Sequence, residues 1–150
     1  MTPTFRLPSL ELLLLSAATG TMAAVRNALN GHQPEIALTI LTRLGCLKPH
    51  LTAEDSTCPD VVILDLPLPE TLEAVRMLKE RNALHDIPVI AIVGDRQEDD
   101  CRPLYDARVN CCIGRPVTQE SLDEMARVLV EYWFDVVRLP PPGRAGTLDW

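Results

Sequence analysis

Residues 59–69 have the sequence Pro59-Asp60-Val61-Val62-Ile63-Leu64-Asp65-Leu66-Pro67-Leu68-Pro69, and this stretch decides the fold. Its four consecutive apolar residues, Val61–Leu64, are typical of a strand that is buried on both faces. The strand ends in a carboxylate, Asp65. Because open α/β folds keep their chemistry at the carboxyl ends of parallel strands, Asp65 is the first candidate functional residue.

Apolar runs of the same kind recur along the chain, with helical patterns between them. Each run is short, rich in Val, Ile and Leu, and lacks a clean alternation with polar residues. Strands that alternate with helices in this way predict a parallel sheet covered by helices. The five predicted strands are Leu12–Leu15, Ile36–Leu41, Val61–Leu64, Val89–Val93 and Cys111–Ile113.

The predicted helices have recognisable ends. The first is expected to stop at Asn30-Gly31, a good C-terminal capping pair. Residues Thr42–Cys58 have a weak periodic pattern and predict a short or distorted second helix. Pro103 is expected in the first turn of the fourth helix, since a proline further along would interrupt it. Thr118 is a suitable N-cap for the last helix.

The composition limits the function classes. The chain has 150 residues and a net charge of −7, which argues against a dedicated nucleic-acid binder. No apolar run approaches the roughly 20 residues of a membrane span, and no secretory signal is evident. The five cysteines form no CxxC motif and the three histidines have no metal-binding spacing, so we expect a cytoplasmic protein with reduced thiols. Residues 1–140 are expected to form one domain and 141–150 a flexible tail.

The last helix is apolar nearly all round from Val128 onward. A helix that covers a sheet needs an apolar stripe only about 100° wide. The surplus predicts a second buried surface, formed with a partner or in a homodimer. The alternative is that Phe5–Leu10 covers it within the same chain. The residues expected on this surface are Val128, Tyr132, Trp133, Phe134 and Val137.

Two further segments make the pattern familiar. They are Asn110-Cys111-Cys112-Ile113-Gly114-Arg115-Pro116-Val117 and the run from Glu131 to Pro140 that contains Tyr132-Trp133-Phe134. With Asp65 at the end of the third strand, the chain resembles the receiver domain of response regulators, in particular the single-domain type that accompanies phytochrome histidine kinases. The resemblance implies a flavodoxin-like, doubly wound (βα)5 fold with strand order 2-1-3-4-5 and a long C-terminal helix. It also implies a homodimer, a sensor histidine kinase as partner, and a cis Arg115–Pro116 bond.

The residues that make a receiver aspartate reactive are replaced in this chain. In the family, an acidic pair after the first strand binds Mg²⁺, and a hydroxyl and a lysine at later strand ends hold the phosphoryl group. By position these fall on Ser16 and Ala17, on Val93 and on Arg115, while the family's switch aromatic falls on Cys112. The resemblance therefore predicts a pseudo-receiver without a metal ion or another cofactor.

Arg115 suggests a specific replacement for the metal. Arginine is always charged and binds carboxylates through two parallel hydrogen bonds, so we expect it to pair with Asp65. The predicted function is a non-enzymatic signalling module in which Asp65 is phosphorylated slowly or not at all. Two alternatives remain: a working phosphoacceptor at Asp65 for a phytochrome-type kinase, and a small nucleotide or flavin binder that uses the loop Ser16–Thr21.

Overall fold

A computed structural model describes residues 10–53, 58–94 and 98–140, with the side chains of residues 98–100 left out of the description. The predicted tail, residues 141–150, lies outside these ranges. So does nearly all of the segment Phe5–Leu10 that could have covered the last helix. Within the described part, no helix combines the length and the apolar character that crossing a membrane requires.

The strands form one five-stranded sheet in which every pairing is parallel. The strand order is β2-β1-β3-β4-β5, as the resemblance implied. Each strand predicted from an apolar run is confirmed, with one or two residues added at the ends of β1, β3 and β5. The bounds are Leu10–Ser16 (β1), Ile36–Leu41 (β2), Val61–Asp65 (β3), Val89–Val93 (β4) and Cys111–Gly114 (β5).

Within the described residues, five α-helices connect and follow the strands. Their bounds are Thr19–Leu29 (α1), Leu47–Thr52 (α2), Leu68–Lys79 (α3), Glu98–Asp106 (α4) and Gln119–Val130 (α5). The second helix is short and is preceded by a 3₁₀ turn at Leu44–Cys46, which confirms the predicted distortion. Helix α1 ends at Leu29 with Asn30 as its C-cap, and Gly31 has a φ of +77°, a conformation that favours glycine. Thr118 caps α5, because its Oγ1 accepts a hydrogen bond from Ser121 N–H at 3.1 Å.

Alternate strand residues face two apolar layers. Leu13 and Leu15 belong to the layer under α2, α3 and α4, whereas Leu12 and Leu14 belong to the layer under α1 and α5. The adjacent Cys111 and Cys112 likewise pack against opposite layers. The sheet is therefore covered on both faces, and its carboxyl edge lies between the two helical layers.

One prediction about the helices is wrong. Pro103 is the sixth of the nine residues of α4 and lies beyond the first turn. Because proline has no backbone N–H, it donates no hydrogen bond to the carbonyl of the preceding turn. The predicted long C-terminal helix is present, and α5 forms its first part. It changes at Glu131–Val136 to a π-helical segment, and Val137 has extended backbone.

Candidate functional site

Asp65 and Ser16 form the centre of the candidate site. Because β1 and β3 are parallel neighbours, these two residues are directly paired at the carboxyl ends of their strands. Ser16 Oγ donates a hydrogen bond to Asp65 Oδ2 at 2.8 Å and accepts one from Ala18 N–H at 3.0 Å. The Asp65 side chain is only 2% exposed. A carboxylate buried to this extent needs a compensating charge or further hydrogen bonds.

Arg115 supplies that charge. Its backbone N–H donates to the Val93 carbonyl at 2.8 Å, which fixes the residue beside the end of β4. Its guanidinium reaches β3, where Nη2 donates to Asp65 Oδ1. Nη1 donates to Thr21 Oγ1 in α1 at 3.1 Å. The ion pair hypothesised from the sequence is therefore present, and it engages the carboxylate oxygen that Ser16 leaves open.

The surrounding pocket does not fit a magnesium ion. It is open and has a volume of about 670 Å³. Its lining consists of Asp65, Arg115, Val93 and Ala17 together with neighbouring residues that follow β1, β3 and β4. Asp65 is the one carboxylate among the described residues that line it. Mg²⁺ requires an octahedral set of oxygen ligands and usually one or two carboxylates. Here both Asp65 oxygens already accept hydrogen bonds, one of them from a cation, and neither Val93 nor Ala17 has a ligand atom in its side chain.

Strand β5 shows a second departure from the resemblance. Cys112, at the position of the family's switch aromatic, donates its backbone N–H to Tyr105 Oη of α4 at 3.1 Å. The expected cis bond between Arg115 and Pro116 is wrong, because this bond is trans. An X–Pro bond ordinarily prefers the trans form by about 0.5–1 kcal/mol, and the expectation of a cis bond came from the resemblance alone.

The outer side of the last helix keeps an apolar stripe. Val128, Tyr132 and Val136 follow one another at intervals of four residues and are 48%, 51% and 69% exposed. Trp133 and Phe134 are different, because they are half-buried against the apolar layer shared with α1. Of the five residues expected on this surface, Val128 and Tyr132 lie on the outward stripe, Trp133 and Phe134 stabilise the chain itself, and Val137 is partly buried. Val136 belongs to the stripe although it was not among those five.

Two residues of the site were not found by sequence reasoning. Thr21 is fully buried and receives a hydrogen bond from Arg115, whereas the sequence of its loop, Ser16–Thr21, indicated only a nucleotide or flavin site. Tyr105 holds the edge strand β5 through Cys112. No spacing in the sequence signals either contact, because each depends on how a helix is placed against the sheet.

Two curated proteins are similar to this chain in sequence. The chain is 30% identical over 89 residues to the response regulator Rcp1 of Synechocystis sp., a match that covers 58% of this chain and 60% of Rcp1. It is 33% identical over 86 residues to the probable methanogenesis regulatory protein FilR2 of Methanothrix harundinacea, covering 56% of each. The chain thus matches somewhat more than half the length of these curated relatives. No family model matches it.

Solved structures give a broader match to the fold. The Mn²⁺-bound form of response regulator Rcp1 superposes with a TM-score of 0.80 at 24% identity, covering 87% of this chain and 99% of that one. The phosphorylated cyanobacterial phytochrome response regulator RcpA gives a TM-score of 0.79 at 22% identity, covering 89% and 99%. The fold of this chain is therefore that of the receiver domains.

Proposed function

We propose that this chain, a response-regulator receiver domain, takes part in two-component signalling as a pseudo-receiver. In this proposal Asp65 is a structural residue, and the signal passes through protein contacts instead of a phosphoryl group. One observation carries the proposal: both oxygens of the Asp65 carboxylate are engaged, one by the Arg115 guanidinium and the other by the Ser16 hydroxyl.

The chemistry of phosphoryl transfer explains why this arrangement is unfavourable for a phosphoacceptor. A carboxylate must present a free oxygen to the incoming phosphorus, and the negative charges of both groups must be neutralised. A metal ion contributes several kcal/mol to that neutralisation. In this pocket the nucleophilic oxygen would first have to leave Arg115. The side chains of Ala17 and Val93 could then neither hold a metal ion nor donate to the phosphoryl oxygens.

The two structural relatives provide the contrast. Rcp1 has been solved in a Mn²⁺-bound form and RcpA in a phosphorylated form. The present chain shares their fold but places an arginine side chain against its aspartate. We infer that the fold serves here through its surfaces rather than through a metal site.

Intact mass spectrometry after incubation with acetyl phosphate and Mg²⁺ tests the proposal. We expect the wild-type mass to stay unchanged under conditions that phosphorylate a competent receiver measured in parallel. The addition of one phosphate that disappears in Asp65→Asn would instead establish the alternative, a working phosphoacceptor.

A gain-of-function variant makes the same test sharper. The triple substitution Ala17→Asp, Val93→Thr and Arg115→Lys restores a second carboxylate, a hydroxyl and a lysine around Asp65. We expect this variant to gain Mg²⁺-dependent phosphorylation, and to lose it again when Asp65→Asn is added. Arg115→Lys alone is the matched control, because it keeps the positive charge without restoring a metal ligand.

We further propose that the chain forms a homodimer through the outer stripe of the last helix, Val128, Tyr132 and Val136. These three side chains are large, exposed and on one side of the helix. A contiguous exposed apolar patch of this kind marks an interaction surface. We expect the partner in signalling to be a sensor histidine kinase of the phytochrome type, met in the cytoplasm.

Sedimentation velocity at micromolar concentration tests the dimer. The wild type is expected to sediment as a dimer, and Tyr132→Ser combined with Val136→Ser as a folded monomer. Val117→Ser is the matched control, since Val117 is 86% exposed but precedes the other end of α5. A monomeric wild type would refute the homodimer, and an absorbance band of a bound flavin would favour the small-molecule alternative.

A further inference from the structure

A second cleft lies at the opposite edge of the sheet from Asp65. It is formed by the C-terminal half of α3, the loop that leads to β4, and the C-terminal half of α4, and it has a volume of about 920 Å³. A cleft of this size is within the range of small-molecule sites. None of the functional residues discussed above lines it.

The cleft concentrates positive charge in an acidic protein. Four cations line it, Arg76, Lys79, Arg102 and Arg108, against the carboxylates of Glu80 and Asp106. The chain as a whole has a net charge of −7. Among the side chains that the structure describes, no carboxylate lies within ion-pairing distance of the three arginines. Neighbouring cations repel one another, and a bound anion would relieve that repulsion.

Lys79 adds a buried charge to the cleft. The residue is only 7% exposed, and its Nζ donates to the carbonyls of His85 at 3.0 Å and Ile87 at 2.8 Å. An ammonium group has three donors, so these two bonds leave one N–H for a further acceptor. Burial lowers the pKa of Lys79, and the nearby Asp86 opposes that shift only in part. An anion in the cleft would compensate the buried charge.

Arg108 has a backbone conformation that arginine rarely adopts. Its φ is +77°, and it closes α4 through hydrogen bonds from Arg108 N to Tyr105 O at 2.9 Å and from Val109 N to Leu104 O at 3.0 Å. Glycine is the usual residue at this position of a helix end, and a side chain there costs about 1 kcal/mol. A strained residue of this kind is a reason to look for a function of its side chain.

The ordinary explanation for cations at helix ends covers only part of the cluster. Arg76 and Lys79 lie in the last turn of α3, where positive charge complements the helix dipole. Helix α4 has no basic residue in its last turn, since Arg102 lies near its middle and Arg108 lies beyond its end. The dipole can account for Arg108, which lies just beyond the C-terminus of α4, but it does not account for Arg102.

We propose that this cleft binds a small anion that carries two or more phosphate groups. Guanidinium groups match phosphate oxygens through paired hydrogen bonds. The cations come from both helices that border the cleft, and its volume of about 920 Å³ leaves room for more than one phosphate group.

Isothermal titration calorimetry with inorganic tripolyphosphate at physiological ionic strength tests the proposal. We expect binding by the wild type, no comparable binding of orthophosphate, and at least about tenfold weaker binding of tripolyphosphate by Arg108→Gly. This substitution removes the side chain where glycine fits the backbone, so the fold is expected to be kept. Arg26→Gln, which removes a charge elsewhere, is the control and should bind as the wild type does.

Three results would overturn the proposal: no tripolyphosphate binding at millimolar concentration, equal binding by Arg108→Gly, or equal loss in Arg26→Gln. A polyglutamate peptide of matched charge that binds as tightly would also overturn it, in favour of an acidic segment of another protein. None of these results depends on whether Asp65 is phosphorylated.

Discussion

Replacing Arg115 by methionine removes the charge that compensates Asp65 while keeping an apolar side chain of similar length. The buried carboxylate is then left with the Ser16 hydroxyl as its partner. Breaking a buried ion pair by removing one member costs about 3–5 kcal/mol. The Arg115 side chain is 32% exposed, so water can reach the vacated position, and we expect a loss in the free energy of unfolding of about 2–3 kcal/mol.

The companion substitution, Asp65→Asn, should cost less. It removes the buried negative charge, keeps the side-chain shape, and leaves Arg115 able to turn toward solvent, so we expect a loss of about 1 kcal/mol. In the double variant neither charge is left uncompensated. The two effects should therefore be non-additive, with a coupling energy of about 1–2 kcal/mol, as is typical of residues in direct contact.

Urea unfolding of the wild type, both single variants and the double variant at pH 7 measures these quantities. Arg127→Met is the control, because Arg127 also pairs with carboxylates but at an exposed position on α5, where ion pairs contribute little. The reasoning would be refuted if Arg115→Met were no more destabilising than Arg127→Met, or if the coupling energy were within error of zero.

Three further predictions concern the scaffold. Both ring nitrogens of His32 face acceptors at 2.7 Å, the Pro34 carbonyl and the Asp135 carboxylate, and these raise the pKa of His32 in the folded state. The stabilisation from these two contacts is therefore complete below the ordinary histidine pKa of about 6.5, and it is lost as the pH rises through the pKa of His32 in the folded state. Thermal unfolding from pH 5.5 to 9 should show this loss in the wild type and not in His32→Gln. Gly31→Ala should lower the free energy of urea unfolding by about 1 kcal/mol, because the site has φ of +77° and open space, so that strain is the main effect. Thr118→Ala should remove the α5 cap and cost about 1 kcal/mol in the same assay, whereas Thr118→Ser should cost much less.

The fold could be predicted largely from the apolar runs. Each run is bounded by polar or turn residues, so the strand ends were constrained, and the observed bounds of β2 and β4 agree residue for residue. Helices were less certain, because their limits depend on contacts that the local sequence does not contain. Pro103 shows this clearly, since packing keeps α4 helical on both sides of a residue that local preference would place at its start.

The contacts of the site that depend only on strand order and register could be predicted from the sequence. Asp65 is the last residue of β3 and Arg115 directly follows β5. Because the carboxyl ends of parallel strands meet at one edge, a contact between them was a reasonable hypothesis. Thr21 and Tyr105 lie on helices, and their contacts depend on the rotation of each helix against the sheet. The cleft between α3 and α4 could not be predicted for the same reason, because its cations are spread over more than 30 positions in the sequence.

The contacts of Arg115 also bear on how such a domain could be regulated. The residue connects three elements, through its backbone to β4 and through its side chain to β3 and α1. An alternative position of the loop after β5 would have to break the buried pair with Asp65, which we expect to cost about 2–3 kcal/mol. A state that unfavourable is populated to roughly 0.6–3% at rest. Because no phosphoryl group is expected to provide the missing free energy, the partner that binds the minor state would have to provide it, and regulation would then depend on partner concentration rather than on covalent modification.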